Sequence, residues 1–236
     1  MVHKERYLQP RLGGKKLYWL LSSSIHEVAP HFGRDKFLTL LGSHDLLVSR
    51  KRQYQKTTNS WHRFHKYNNL IKDLSIEYPC QVWASDITYL RTTDGFVYLS
   101  LITDMYSRKI VGWNVSKSLS IEGCVMSLEM ALRQHPLKDR LIHHSDRGIQ
   151  YCSNEYVKIL EKHKIEISMT QENHCYENAM AERVNGILKD EYLLDRTFKD
   201  LNQARLACRE AVMIYNTRRP HWALNFKTPQ QVHHVA

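Results

Sequence analysis

Apolar side chains recur along the chain with two different periods. Met180, Val184, Ile187 and Leu188 follow the i, i+4, i+7, i+8 spacing of one helical stripe, which predicts a helix from about Tyr176 to Tyr192. At 100° per residue the other face of that helix collects Asn178, Glu182, Asn185 and Lys189. Upstream the texture is that of strands. Val82–Leu90 and Phe96–Asp104 are separated by a turn containing Asp94-Gly95 and predict a hairpin, and Arg108–Val115 reads as a third strand. A helix over Ile121–Gln134, a short strand over Leu141–His144, a helix over Asn154–His163 and a strand over Ile165–Met169 follow, and Leu201–Tyr215 is a further helix. A meander followed by helix-connected strands predicts an α/β fold, a mixed sheet with helices on its faces.

The first 49 residues carry two short helical patterns, Lys15–Ser24 and Arg34–Leu41, the second closed by Gly42. They suit a small helical, helix-turn-helix-like DNA-binding region, or equally a helical hairpin packed on the main domain. Residues 50–77 form a basic and aromatic linker. From Arg50 to Lys72 there are seven Lys or Arg and no Asp or Glu, with Tyr54, Trp61, Phe64 and Tyr67 interleaved. Arg50, Lys51 and Arg52 are expected to neutralise phosphates, and the rings to stack on bases or pack on a neighbouring domain. Residues 78–236 form the main domain, ending in a helix and a basic tail.

Charge sharpens the choice of partner. The 236-residue chain carries a net charge of +10 and a pI near 9.4, which favours nucleic acid over a membrane surface. No apolar run reaches the length of a membrane span, and the N-terminus lacks the apolar segment of a signal peptide, so a cytoplasmic location is expected. The cysteines Cys80, Cys124, Cys152, Cys175 and Cys208 lie far apart without a Cys-x-x-Cys pair. Free thiols are therefore expected rather than disulfides or zinc, despite the adjacent pairs His143-His144 and His233-His234.

Three acids stand out. Asp86 interrupts an apolar strand, Asp146 follows the end of a strand, and Glu182 sits on the late helix; 59 residues separate the first two and 35 the last two. Carboxylates brought together repel unless cations neutralise them, and hard oxygen donors select Mg²⁺ or Mn²⁺. Two such ions can stabilise the attacking and leaving oxygens of a phosphoryl displacement. Asp94 and Asp104 are expected to be structural, and Glu172 and Glu177 to precede the helix face.

From about Tyr78 to Val232 the chain resembles bacterial insertion-sequence transposases of the retroviral-integrase superfamily. The resemblance rests on Trp83-Ala-Ser-Asp86-Ile-Thr-Tyr89, Asp104-Met-Tyr-Ser-Arg-Lys-Ile-Val-Gly-Trp113, His144-Ser-Asp146-Arg-Gly-Ile-Gln-Tyr151, Glu177-Asn-Ala-Met-Ala-Glu182 and Tyr215-Asn-Thr-Arg-Arg-Pro-His221. It implies a ribonuclease H-like catalytic core over residues 78–236, with Asp86, Asp146 and Glu182 as catalytic ligands of two Mg²⁺ (or Mn²⁺) ions. It also implies Lys189 as a contact to the element's DNA end, joined on the same helix face by Asn178 and Asn185. The expected activity is metal-dependent cleavage and strand transfer at the ends of the chain's own element. The expected partners are element-end and target DNA, further copies of the chain, and an upstream helix-turn-helix frame product as a fusion partner; the setting is a bacterial cytoplasm, at the nucleoid. Where many relatives follow the glutamate with Ser and two aromatics, this chain has Arg183-Val184-Asn185-Gly186, and Gly186 suggests close approach by a backbone or by DNA. A non-catalytic DNA binder and a structure-selective nuclease on the same fold are the competing classes.

Overall fold

The computed structural model describes residues 1–48, 64–135, 140–171 and 178–234. In chain order the elements are α1 (Val2–Leu8), α2 (Gly14–Val28), α3 (Arg34–Ser43), β1 (Val82–Thr92), β2 (Gly95–Asp104), β3 (Ile110–Ser116), α4 (Ile121–Gln134), β4 (Ile142–Ser145), α5 (Ile149–Cys152), α6 (Asn154–Lys162), β5 (Glu166–Met169), α7 (Ala179–Glu191), β6 (Thr197–Phe198), α8 (Leu201–Arg218) and α9 (Pro229–His234), with a single 3₁₀ turn at Trp222–Leu224.

The strands form one mixed sheet in the order β3-β2-β1-β4-β5, with the short β6 pairing to the far end of β1. β1, β2 and β3 are an antiparallel meander, and β4 and β5 run parallel to β1. The expected hairpin turn is present, and Gly95 takes φ 123°, a conformation open to glycine. Central β1 is paired on both edges and its start, Val82-Trp83-Ala84-Ser85, is fully buried, as a strand covered on both faces must be.

Two helical layers cover the sheet. On one face α4, α5 and α6 pack around Trp83, Ile102, Val111, Leu128, Tyr151 and Tyr156. On the other, α7 and α8 pack around Leu90, Leu99, Leu101, Val184, Leu188 and Tyr215. Gly112 sets how closely α4 can approach, since a Cβ there would lie 2.1 Å from the Ser127 carbonyl oxygen.

The third strand starts two residues later than its pattern suggests. The Asp104 carboxylate, fully buried, accepts hydrogen bonds from the backbone N–H of Cys80 (2.8 Å) and of Ser107 (2.9 Å) and from the Ser107 hydroxyl, and closes a turn that ends with Arg108 at φ 65°. A side chain thus does what a ladder would otherwise do. The Tyr215-Asn216 pair docks α8 on this edge. Tyr215 donates to the Arg108 carbonyl, and Asn216 brackets Ile110 by accepting from its N–H and donating to its carbonyl, both at 2.9 Å.

The N-terminal helices have a core of their own around Leu12, Leu17, Leu21, Phe37 and Leu41. They also pack on the main domain, the second of the two arrangements considered from sequence. Arg11 reaches Asp190 (3.3 Å), Arg218 pairs with Glu5, and Trp19 stacks on Phe226. Arg50, Lys51 and Arg52, with Tyr54 and Trp61, lie outside the described residues. Further along the linker, Tyr67 packs against the α4–α6 layer, the Met169 N–H donates to the Asn68 carbonyl, and the Leu70 N–H donates to the Ser168 hydroxyl.

Candidate active site

Register brings two of the three acids together. Parallel β1 and β4 pair Ser85 with Ser145, so Asp86 and Asp146 are the next residues on neighbouring strands, which stand about 4.8 Å apart. The strands are tied just behind them. His143, fully buried, meets the Ser85 hydroxyl at 2.7 Å and the Tyr156 hydroxyl at 2.9 Å, and burial pushes its pKa down to about 3, so the ring is neutral at pH 7. Past β4, the Gly148 N–H donates to Asp146 Oδ1 (3.0 Å), and a Cβ on Gly148 would lie 2.9 Å from that same oxygen. Glycine here leaves the carboxylate its room.

The third acid arrives on α7. The apolar stripe behaves as predicted at Val184, Ile187 and Leu188, which are buried, while Met180 is only partly so. The polar stripe does not face solvent along its length. Asn178 and Asn185 are both 5% exposed and both donate to β1: Asn178 to the Ser85 carbonyl (3.2 Å), Asn185 to Asp86 Oδ2 (2.7 Å). Expected as DNA contacts, they are placed by the structure as the struts that hold α7 against β1. Glu182, between them in the first turn, is exposed. Gly186 has nothing within 4 Å of a would-be Cβ, so no part of the described chain makes the close approach expected there.

Lys189 is half-buried and lies over the Tyr89 ring, 4.3 Å from its centroid. Burial lowers its pKa, and the Asp86 carboxylate acts in the opposite direction. It is therefore not a free surface lysine but a cation held along β1 beside the acids. Asp104 stands apart in its turn, as expected of a structural aspartate, and Asp94 lies in the hairpin turn. Glu172, His174, Cys175 and Glu177 lie outside the described residues.

The electrostatics of the triad fit a divalent cation. Burial raises the Asp86 pKa to about 7, and the Asp146 and Glu182 carboxylates add to the rise against the hydrogen bond from Asn185. The site thus gathers hard oxygen donors with more negative charge than its own cations balance. The three acids do not converge on a single point: among the described residues, the one set of three potential ligand atoms lying within 4.8 Å of one another is elsewhere, at Cys80, His135 and His233. A two-ion site is wider than that, with the ions themselves about 3.5–4 Å apart.

Comparison with known proteins bears on the family and the fold. Residues 77–175 match one family described as Integrase core domain, and residues 163–229 match a second with the same description. The chain is 37% identical over 199 residues to the insertion element IS600 uncharacterized 31 kDa protein of Shigella sonnei, covering 84% of this chain and 73% of that one. It is 32% identical over 189 residues to transposase InsF for insertion sequence IS3A of Escherichia coli K12, covering 80% of this chain and 62% of the relative. In structure it is similar to the HTLV-2 integrase catalytic core domain solved with magnesium (TM-score 0.53, 22% identity, 66% of this chain and 98% of that one) and to the simian T-cell lymphotropic virus intasome (TM-score 0.56, 21% identity, 94% and 74%). A mixed sheet with helices on both faces is the ribonuclease H-like fold of the polynucleotidyl transferases, and the chain belongs to the insertion-sequence transposases that carry an integrase core domain.

Proposed function

We propose that this chain cuts and joins DNA at the ends of its own insertion element, with Asp86, Asp146 and Glu182 holding two Mg²⁺ or Mn²⁺ ions. The observation that supports this reading is Asp86, one residue past the Ser85–Ser145 register pair, with its pKa raised to about 7 by burial and by the Asp146 and Glu182 carboxylates. When bound, the ions would activate the attacking oxygen and stabilise the leaving one in an in-line displacement. The chain's own part is positional. Asn185 orients Asp86, the Gly148 N–H orients Asp146, and Asn178 holds the N-terminus of α7, the helix that carries Glu182, to β1. Water, and then a freed 3′-hydroxyl, would attack the phosphodiester without a covalent protein intermediate.

Lys189 supplies the positive charge beside the acids and would meet the element's DNA end; the basic run Arg50-Lys51-Arg52 would follow the backbone further out. The neighbour solved as an intasome, and an integrase core solved in both trimeric and dimeric forms, support assembly of several copies on DNA. The chain spans 62% of the length of the E. coli transposases it matches, and an upstream helix-turn-helix frame product is the proposed fusion partner. The setting is the cytoplasm and nucleoid; among the described residues no helix is long and apolar enough to cross a membrane.

The test is Glu182→Gln, which keeps size and hydrogen bonding but removes the charge. Cleavage of DNA carrying the element's ends should fall by at least about 10²-fold in Mg²⁺ while end binding persists. Near-normal cleavage would remove Glu182 from the site. Joined products separate a transposase from a nuclease, which yields hydrolysed ends alone.

A further inference from the structure

Away from the acids, three side chains distant in sequence meet beneath the β2–β3 turn. Cys80 enters β1, His135 caps α4, and His233 lies on α9; one potential ligand atom from each lies within 4.8 Å of the other two. The His233 Nε2 atom is 3.0 Å from His135 Nδ1 and 4.0 Å from the Cys80 Sγ. In a tetrahedral site with bonds of about 2.0–2.1 Å to nitrogen and 2.3 Å to sulfur, those separations would be roughly 3.3 Å and 3.6 Å. The observed pair straddles these values, and the third separation, His135 to Cys80, lies within 4.8 Å, so closing the site takes side-chain shifts of up to about 1 Å.

The surroundings orient the donors. The Ser107 hydroxyl donates to Asp104, so it accepts from His233 Nδ1 at 3.1 Å; that nitrogen also lies 3.5 Å from the Asp104 carboxylate. This puts the proton of His233 on Nδ1 and leaves the Nε2 lone pair facing His135 and Cys80. A carboxylate behind an imidazole is the arrangement that fixes metal-binding histidines. His135 Nε2 is buried without a hydrogen-bond partner. Cys80 itself adopts φ 62°, costly for a residue with a side chain, and its N–H is held by Asp104 at 2.8 Å. Lys109, whose charge acts on both Cys80 and His135, opposes an added cation; a Cys80 thiolate and the Asp104 carboxylate would offset it.

We propose that Cys80, His135 and His233 bind one zinc-class ion, with water completing the coordination, and that this ion fastens α9 to the end of α4 and to the segment leading into β1. Nitrogen and sulfur donors select zinc over magnesium, so the site is separate from the acids in chemistry as well as place. Binding deprotonates the Cys80 thiol and releases that proton to solvent.

Cobalt titration of the full chain tests this. One equivalent of Co²⁺ should produce thiolate-to-metal charge-transfer absorption with tetrahedral d–d bands, and Zn²⁺ should abolish both. Cys80→Ser should remove the charge-transfer band, whereas Asp86→Asn and Cys175→Ser should keep it, which excludes the acidic site and the Cys175 thiol. If Cys80→Ser does not fold by circular dichroism, His135→Gln decides, with a loss of Co²⁺ affinity of at least about tenfold. No charge-transfer band in the wild-type chain, a band that survives Cys80→Ser, or unchanged affinity in His135→Gln would overturn the proposal.

Discussion

Asp86 shows what the site costs the fold when no cation is bound. Its pKa stands near 7 in the folded chain against 3.8 ordinarily, so the folded state holds the proton more tightly than the unfolded state. The stability this confers is complete below about pH 4 and is lost as pH rises through about 7. In metal-free buffer Asp86→Asn should therefore be more stable than wild type at pH 8, by about 1–3 kcal/mol, with the gain gone near pH 4. Thermal unfolding at the two pH values measures it, and Mg²⁺ should narrow the gap by stabilising wild type alone. A variant less stable than wild type at pH 8 would contradict this account. Lys189 gives a second residue-scale expectation. Held over Tyr89, it should lose about 1 kcal/mol or less of stability as Lys189→Met. Lys189→Glu should add repulsion toward phosphate and weaken element-end binding well beyond the methionine variant. Equal end binding by the two folded variants would mean that the charge meets no DNA.

At the scale of elements, hydrophobic period and turn chemistry were enough to place the hairpin, the third strand, α4, β4, α6, β5, α7 and α8 within a few residues. The elements they miss, α1, α5, β6 and α9, run to 7, 4, 2 and 6 residues, too short to show a period. The polar stripe of α7 was legible as a stripe but not in its orientation: nothing in a helical wheel distinguishes amides that face water from amides that grip a strand. Asp86 and Asp146 were legible because a charge in an apolar strand and an acid at a strand end are local anomalies. The Cys80–His135–His233 cluster was not, since 54 and 97 residues intervene and only the tertiary fold joins them. Element packing also predicts a steric failure. Gly112→Ala would press a methyl into the Ser127 carbonyl and should cost about 1–3 kcal/mol or more as α4 is pushed off the sheet. Denaturant unfolding would show a lower midpoint; an unchanged midpoint would mean that α4 can shift freely.

Across the whole molecule, the N-terminal helices and the catalytic core are interlocked through α7. Arg219, 2% exposed, forks onto both Glu191 oxygens at 2.7 Å, and Lys16 reaches the same carboxylate at 3.4 Å. Around it, Arg11 donates its backbone N–H to the Glu191 carbonyl and Tyr192 donates to Gln9. Arg219→Ala strips Glu191 of its nearest cation and should cost about 3–5 kcal/mol, whereas Lys16→Ala, which leaves the fork intact, should cost much less. Equal costs would show that the fork is not the anchor. For the basic run, binding to DNA is the readout. Replacing Arg50, Lys51 and Arg52 with alanine should make the slope of log K against log salt shallower by up to about 2.7, at about 0.9 for each phosphate no longer neutralised. An unchanged slope would leave the run as a solvated face.

Because Ser85 and Ser145 are register partners, the two aspartates are measured against each other across the sheet and not along the chain. A single residue inserted into β1 just ahead of Asp86 would turn its side chain to the opposite face and remove it from the site. Residues inserted at the hairpin turn around Asp94-Gly95 would leave both acids where they are. The 59 residues between them are thus elastic in number, and length drift among related chains should collect at turns while the strands keep their count.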